Sequence, residues 1–323
     1  MAAERNDGRL VLACASSGGH FKQLVSLAPR ITRVDSITWV TFDTGLEREL
    51  LEAAGRGDDE LVTVPYAAPR DLRNLARDAR IVRRLLRERS YDLAVSTGAG
   101  LAVASLPLAR ASGVRSCFIE SATRVQGPSL SGRILEWVPG IEHYAQHPGF
   151  GPRWRQVGSV HDGFAPGPNR ELARIERAVV TLGTIRPYGF RSLVVAVRAA
   201  LPSSCEVLWQ TGATDVTDLD IDAREHVPGE ELKHAMSEAD VVIAHAGTGT
   251  ALTAFELGRT PVLVPRRHVR GEHIDDHQVR TARMLAERGL AVHLEVDQVS
   301  GERLLEAGRR TVVTLDEPPP LPI

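Results

Sequence analysis

Short apolar, β-branched runs alternate with longer stretches whose apolar residues recur every three or four positions, from Leu10 to the last helix-like segment. That alternation predicts parallel sheets covered by helices, because strands buried on both faces read as continuous apolar runs. In the first half the predicted strands are Leu10–Ala15, Ser36–Phe42, Leu61–Val64, Leu93–Ser96 and Ser116–Glu120, the last closing the set. Helices are expected over about Phe21–Pro29, Leu46–Ala54, Leu72–Arg89 and Leu101–Ala111. The second half repeats the scheme with strands at Ala178–Thr181, Glu206–Gln210, Val241–Ala244, Pro261–Pro265 and Ala291–Leu294. Its helices fall over Phe190–Ala200, Gly229–Ala239, Thr250–Leu257 and His277–Arg288, with a final one near 300–310.

Between the halves runs a Pro/Gly-rich segment, His147 to Asn169, read as a linker with one short strand near Gln156–Val160. The expected organisation is therefore a first domain over 1–150, a linker over 151–173, a second domain over 174–315 and a Pro-rich tail over 316–323, expected to be mobile. Two α/β units joined in this way imply a ligand cleft between them.

The most informative stretch is Val241 to Gly258. A β-branched strand ends in His245-Ala-Gly-Thr-Gly-Thr250, and this small-residue loop opens directly into a helix stopped at Gly258 with Pro261 beyond it. Loop amides and a helix N-terminus aimed at one spot make an anion site, and Gly247 and Gly249 allow a bulky anion close to the backbone. Glu256, two turns along, stands within reach of whatever the anion carries. A phosphate beside a sugar hydroxyl fits this spacing.

Composition narrows the class. A 323-residue chain with 43% hydrophobic and 25% charged residues is an ordinary globular protein, and it contains no apolar run long enough to span a bilayer. Cys14, Cys117 and Cys205 are too far apart for a zinc or disulfide framework, which favours a reducing cytoplasm. Residues 1–160 carry 21 Lys+Arg against 17 Asp+Glu, a net +4; residues 161–323 carry 18 against 24, a net −6. Neither half has the dense basic stripe of a nucleic-acid binder.

Further loops carry candidate chemistry. Ser16-Ser17-Gly18-Gly19-His20 follows the first strand. It reads as a dinucleotide turn with Asp43 as ribose acid, as a cleft-facing loop with amides near a diphosphate and His20 at the reaction centre, or as a plain helix cap. Thr181-Leu-Gly-Thr184 is its counterpart in the second half. The segment Pro265 to Gln278 clusters His268, His273, Asp275, Asp276 and His277, without fixed ligand spacing, and reads as a solvated or substrate-facing loop rather than a metal site. Asp218, Asp220 and Asp222 read as an acidic turn. The helix Leu72–Arg89 holds seven arginines around an apolar stripe of Leu72, Leu75, Ala79, Val82 and Leu86. Its Arg face is solvated or attracted to anionic lipid head groups.

The second half resembles the nucleotide-sugar-binding half of MurG-like, family 28 glycosyltransferases. The carrying residues are His245-Ala-Gly-Thr-Gly-Thr-Ala-Leu-Thr-Ala-Phe-Glu256, Pro261-Val-Leu-Val-Pro265 and Asp276-His277-Gln278. The first half resembles the membrane-recruiting subunit of the eukaryotic dolichol-linked GlcNAc transferase, at Ser17-Gly-Gly-His20, Ser96-Thr-Gly98, Phe118-Ile-Glu-Ser121 and Leu130-Ser-Gly-Arg-Ile134. The chain is thus similar to a single-chain fusion of that enzyme's two subunits, without its membrane anchor.

The resemblance implies an α/β GT-B architecture, with two Rossmann-like parallel-sheet domains facing across a cleft. It implies inverting transfer of a hexose or N-acetylhexosamine from a UDP-sugar, such as UDP-GlcNAc, to a polyprenyl-diphosphate-linked acceptor in polysaccharide assembly. No cofactor and no metal are expected. Glu256 would bind the ribose; Ser17, Gly18, Gly19, Thr184, His245, Gly247, Thr248, Gly249 and Thr250 would surround the diphosphate; His277 and Gln278 would contact the sugar. His20 is the candidate catalytic base and Glu120 the reserve. The expected location is the cytoplasm, peripheral to the inner membrane face, with a homodimer as a candidate assembly. Rival readings are a UDP-sugar transferase for a soluble aglycone and a non-catalytic nucleotide-sugar-binding subunit.

Overall fold

A computed structural model describes residues 9–31, 34–45, 47–66, 72–183, 188–273 and 276–323. The chain forms two compact units: Met1–Val160 together with Pro319–Ile323, and His161–Pro318.

Unit 1 alternates β1 (Arg9–Ala15), α1 (Gly19–Leu27), β2 (Val34–Phe42), α2 (Glu47–Ala53), β3 (Glu60–Val64) and α3 (Leu72–Glu88). It continues with β4 (Leu93–Gly98), α4 (Gly100–Ala111), β5 (Arg115–Ile119), α5 (Leu130–Leu135), β6 (Ile141–Ala145) and β7 (Trp154–Gln156). The strands form one parallel sheet in the order β3-β2-β1-β4-β5-β6-β7. Its core is built from the strand runs and facing helices, with Leu12, Val40, Val82, Leu101, Leu106 and Phe118 excluded from water. Removing a buried ring such as Phe118 from a core of this kind costs about 3–5 kcal/mol.

Unit 2 begins with β8 (Phe164–Pro166) and β9 (Arg177–Thr181), then α6 (Arg191–Ala200), β10 (Glu206–Gln210), β11 (Ala223–Arg224) and α7 (Gly229–Glu238). There follow β12 (Val241–Ala244), α8 (Thr248–Glu256), β13 (Val262–Leu263), α9 (His277–Glu287), β14 (Val292–His293), α10 (Gly301–Arg309) and β15 (Val312–Thr314). The main sheet is parallel in the order β11-β10-β9-β12-β13-β14, and β8 pairs antiparallel with β15. Val180, Ile243, Val262, Phe190, Val197 and Leu304 centre its core.

Both sheets reverse direction of growth once, between β1 and β4 and between β9 and β12. In open parallel sheets a ligand crevice forms outside the carboxyl ends of the strands flanking such a reversal. The loops after β1 and β12, singled out by their small residues, occupy these two positions.

The expected boundaries need correction. The first sheet does not end at Glu120, since β6 and β7 extend it; β6 carries the polar sequence Ile-Glu-His-Tyr-Ala, which hides a buried strand. The first unit therefore runs to Val160 rather than 150, and the segment read as a linker supplies β7 to one unit and β8 to the other. The Pro-rich tail is docked, with Leu321 and Ile323 buried. Leu321 N–H donates to Arg30 O at 2.7 Å, and Arg30 Nε donates to Pro319 O at 2.8 Å. On α3 the buried stripe is Asp78, Val82 and Leu85, with Leu75, Ala79 and Leu86 partly covered, while all seven arginines are exposed. The side chain of Leu72 lies outside the described residues.

Candidate active site

In unit 1 the predicted loop residues Ser17 to His20 lie at the switch between β1 and β4. Gly18, at φ +76°, turns the chain so that α1 starts at Gly19, two residues before the predicted start. His20 lies in the first turn. Its Nδ1 is 2.7 Å from Thr97 O, and Thr97 Oγ1 donates to His20 O at 2.7 Å. A carbonyl only accepts, so Nδ1 carries the proton and Nε2 carries the lone pair of the neutral ring. Burial pushes the imidazole pKa down, partly opposed by the Thr97 carbonyl, so the neutral form persists at physiological pH. Gly98 has φ +108°, and a Cβ there would stand 3.1 Å from the His20 ring. Ser16 completes the joint: its N–H donates to Gly98 O at 2.8 Å and its Oγ accepts from Ala99 N–H at 3.0 Å. Ser17 is partly exposed, and Gly18 and Gly19 are exposed.

Glu120 sits one residue beyond β5 and is buried. Oε1 accepts from Ser121 N–H at 3.1 Å and Oε2 from Ser129 N–H at 2.7 Å, so the carboxylate fastens the loop into α5. Burial raises its pKa, offset in part by those amides. These contacts describe a loop anchor; nothing places the carboxylate beside His20. Gln23, a residue the sequence pattern does not flag, joins the same loop to α1: its Oε1 accepts from Ala122 N–H at 2.8 Å and from Gln146 Nε2 at 3.1 Å. Gln146 Oε1 in turn accepts from Val160 N–H at 2.8 Å. An amide is a quiet polar residue in a helix or loop, and only the topology reveals that these two meet.

In unit 2 the corresponding joint lies between β9 and β12. His245 is buried, with Nδ1 3.3 Å from Thr181 O. A Cβ on Gly183 would lie 2.5 Å from its ring, and one on Gly247 2.6 Å from its Nε2, so only glycine fits on either side. Burial and then the nearby Arg266 charge drive the His245 pKa down to about 3. Ala246 takes a positive φ of 41°, and Gly247 caps α8 with no side-chain acceptor on its amides. Thr248 is 3% exposed and its Oγ1 has no hydrogen-bond partner among the described residues. Gly249 and Thr250 are partly exposed, and Glu256, at the C-terminal end of α8, is exposed. Thr184 lies outside the described residues.

The Pro265–Gln278 segment is fastened to itself. Asp276 Oδ1 accepts from His268 N–H at 3.0 Å, and His268 Nδ1 donates to His273 O at 3.0 Å. Glu272 Oε2 accepts from Arg267 N–H at 3.0 Å, and His273 and His277 meet edge to face at 4.7 Å. Asp275 lies outside the described residues; among those described, no cluster of His, Cys, Asp and Glu could hold a metal. Gln278, buried at the start of α9, accepts from Arg266 N–H through Oε1 at 3.0 Å. Asp218 is paired with Arg191 at 2.7 Å in an exposed turn. Burial pushes the Cys14 and Cys117 thiols up to about 12, which keeps both from acting as thiolates near neutral pH.

Two parallel-sheet α/β units, each with a glycine-lined joint at its switch point, have the two-domain fold of the GT-B class. Residues 177–314 match the glycosyltransferase family 28 C-terminal domain. Among curated relatives, the UDP-N-acetylglucosamine--N-acetylmuramyl-(pentapeptide) pyrophosphoryl-undecaprenol N-acetylglucosamine transferase of Alkaliphilus oremlandii is 23% identical, covering 92% of this chain and 88% of that protein. The enzyme of the same name from Methylococcus capsulatus is 26% identical over 90% of this chain and 87% of its own. Solved structures similar in fold include MurG of Acinetobacter baumannii (TM-score 0.56, 18% identity, 92% of this chain and 89% of that one). The calicheamicin glycosyltransferase CalG4 is another (TM-score 0.51, 19% identity, 93% and 89%).

Proposed function

We propose that the protein transfers a sugar, with inversion, from UDP-GlcNAc or a related UDP-sugar to a polyprenyl-diphosphate-linked acceptor in cell-envelope glycan synthesis. The observation that carries this reading is the α8 N-terminus. Gly247 opens it without a competing side-chain cap, Gly183 lies beside it, and the Thr248 hydroxyl is buried and unpartnered. Amides and a helix dipole so arranged stabilise a diphosphate gaining charge as it leaves. Glu256 accepts from the ribose hydroxyls. Gln278, its Oε1 already occupied by Arg266 N–H, turns its amide donors to the sugar, with His277 beside it.

Transfer is a single displacement. The acceptor oxygen bonds to the anomeric carbon, the bond to the UDP oxygen breaks with its electron pair leaving on UDP, and the acceptor proton passes to His20 Nε2. A neutral ring with Nδ1 anchored is suited to that task. No residue of this scheme requires a metal.

The acceptor is lipid-linked in this reading because the curated relatives act on an undecaprenyl-linked substrate over nearly their whole length. Unit 1 also has surface suited to a membrane. Leu130 and Ile134 on α5 and Trp137 just beyond it are 66%, 42% and 83% exposed, and the exposed arginines of α3 add about 1 kcal/mol each near anionic lipid. No helix among the described residues is long and apolar enough to cross a membrane. The decisive experiment is UDP release by the purified chain across a panel of UDP-sugars, with and without a short polyprenyl-diphosphate-linked sugar. Turnover that needs the lipid-linked acceptor supports the reading; equal turnover on a soluble aglycone, or none without a second subunit, overturns it.

A further inference from the structure

One arginine of unit 2 is buried almost completely. Arg266 follows the apolar run Val262–Pro265 and is 1% exposed. Its Nη2 donates to Leu182 O at 2.7 Å, its Cζ lies 5.9 Å from the Phe190 ring centroid, and its N–H donates to Gln278 Oε1. One side chain thus ties the loop after β9 to the loop before α9. Yet Nε has no partner, and no carboxylate forms an ion pair with the guanidinium among the described residues. Glu272, the acid that acts on it electrostatically, is committed elsewhere: Oε1 accepts from Ser192 Oγ at 2.8 Å and Oε2 from Arg267 N–H. A guanidinium does not deprotonate, so its burial without a counter-ion is unfavourable until an anion arrives.

The place where an anion would arrive is close by. Arg266 holds Leu182 O, one residue before Gly183, and the His245 ring fills the space between Gly183 and Gly247 at the α8 N-terminus. The unpartnered Thr248 hydroxyl is at the same helix end. We propose that Arg266 is the fixed counter-charge of the donor diphosphate, a positioning residue that holds these loops and offsets, from beneath them, the charge gathering on the leaving group. This rests on the diphosphate reading of unit 2.

The test compares UDP with uridine, which lacks the diphosphate. Wild type is measured first: no preference for UDP over uridine removes the diphosphate reading itself. Given that preference, Arg266→Met lowers UDP affinity at least tenfold and leaves uridine affinity unchanged, whereas an unchanged UDP-to-uridine ratio overturns the proposal. Arg266→Lys keeps the charge while losing the fork. A buried lysine deprotonates more readily than arginine, and UDP is fully ionised above about pH 7. The lysine variant therefore approaches wild-type discrimination at pH 7 and loses it as pH rises to about 9, while wild type stays flat. If the methionine variant does not fold, the lysine variant decides alone: discrimination at pH 7 supports the counter-charge, and its absence there assigns Arg266 a purely structural role.

Discussion

His20 and His245 flank the switch points of their two sheets from opposite sides, His20 after β1 and facing β4, His245 after β12 and facing β9, and their surroundings differ. Each follows a strand beside the switch point, each directs Nδ1 at a strand carbonyl, and each is held neutral chiefly by burial. His20 is half-buried, with one glycine, Gly98, beside its ring. His245 is enclosed by two, Gly183 and Gly247, over a buried arginine. The first is a partly accessible ring, the proposed base; the second is wedged between two glycines. Sequence alone marks the two alike, as a histidine in a small-residue loop.

The sharpest way to break the contrast is to remove each ring. His20→Ala should lower kcat by about 10²–10⁴ with UDP affinity kept, as steady-state kinetics and calorimetry would register; near-normal turnover would leave the two histidines equivalent. With neutral His20 as the proposed base and its pKa held below the ordinary 6.5, kcat/KM should fall only on the acid side of that value. Gly247→Ala should come next, since its methyl meets the His245 ring. UDP affinity should drop roughly tenfold or more, with about 1–3 kcal/mol of stability lost to overpacking. Glu256→Ala should weaken UDP by about tenfold, the scale of one lost hydrogen bond to a charged group, and leave the melting temperature unchanged. Unchanged affinity would free Glu256 from the ribose.

The smallest effect concerns stability against pH. A histidine whose folded pKa is depressed binds its proton more easily when unfolded. Stability linked to His245 is therefore intact above pH 6.5 and is lost as pH falls from there toward about 3. Replacing His245 with Gln should flatten that acid limb of the melting curve. Replacing His20 should affect turnover first, and an equal flattening there would blur the distinction.

What could be read without coordinates followed from local rules. The apolar runs located most of the central strands, and the pattern of Val241–Gly258 located a strand, a small-residue loop and a helix, because those signals are carried by adjacent residues. The failures have a common origin in long-range pairing. β6 was hidden because His143 and Tyr144 are buried polar residues in a strand that alternation would not recognise. Arg266 looked like the start of a solvated loop, since nothing nearby in sequence reveals Leu182 or Phe190. Gln23 and Gln146 find each other across 123 positions. The start of α1 depended on Gly18 at positive φ, a property that glycine permits but does not announce.

The docked tail has a consequence for the order in which the protein is made. Unit 1 is discontinuous: its last residues, 319–323, are synthesised only after the whole of unit 2. Until they emerge from the ribosome, the Arg30 side chain and carbonyl lack their partners at Pro319 and Leu321, and the apolar site that Leu321 fills stays open to water. Unit 1 is therefore completed only by residues that follow the whole of unit 2 along the chain.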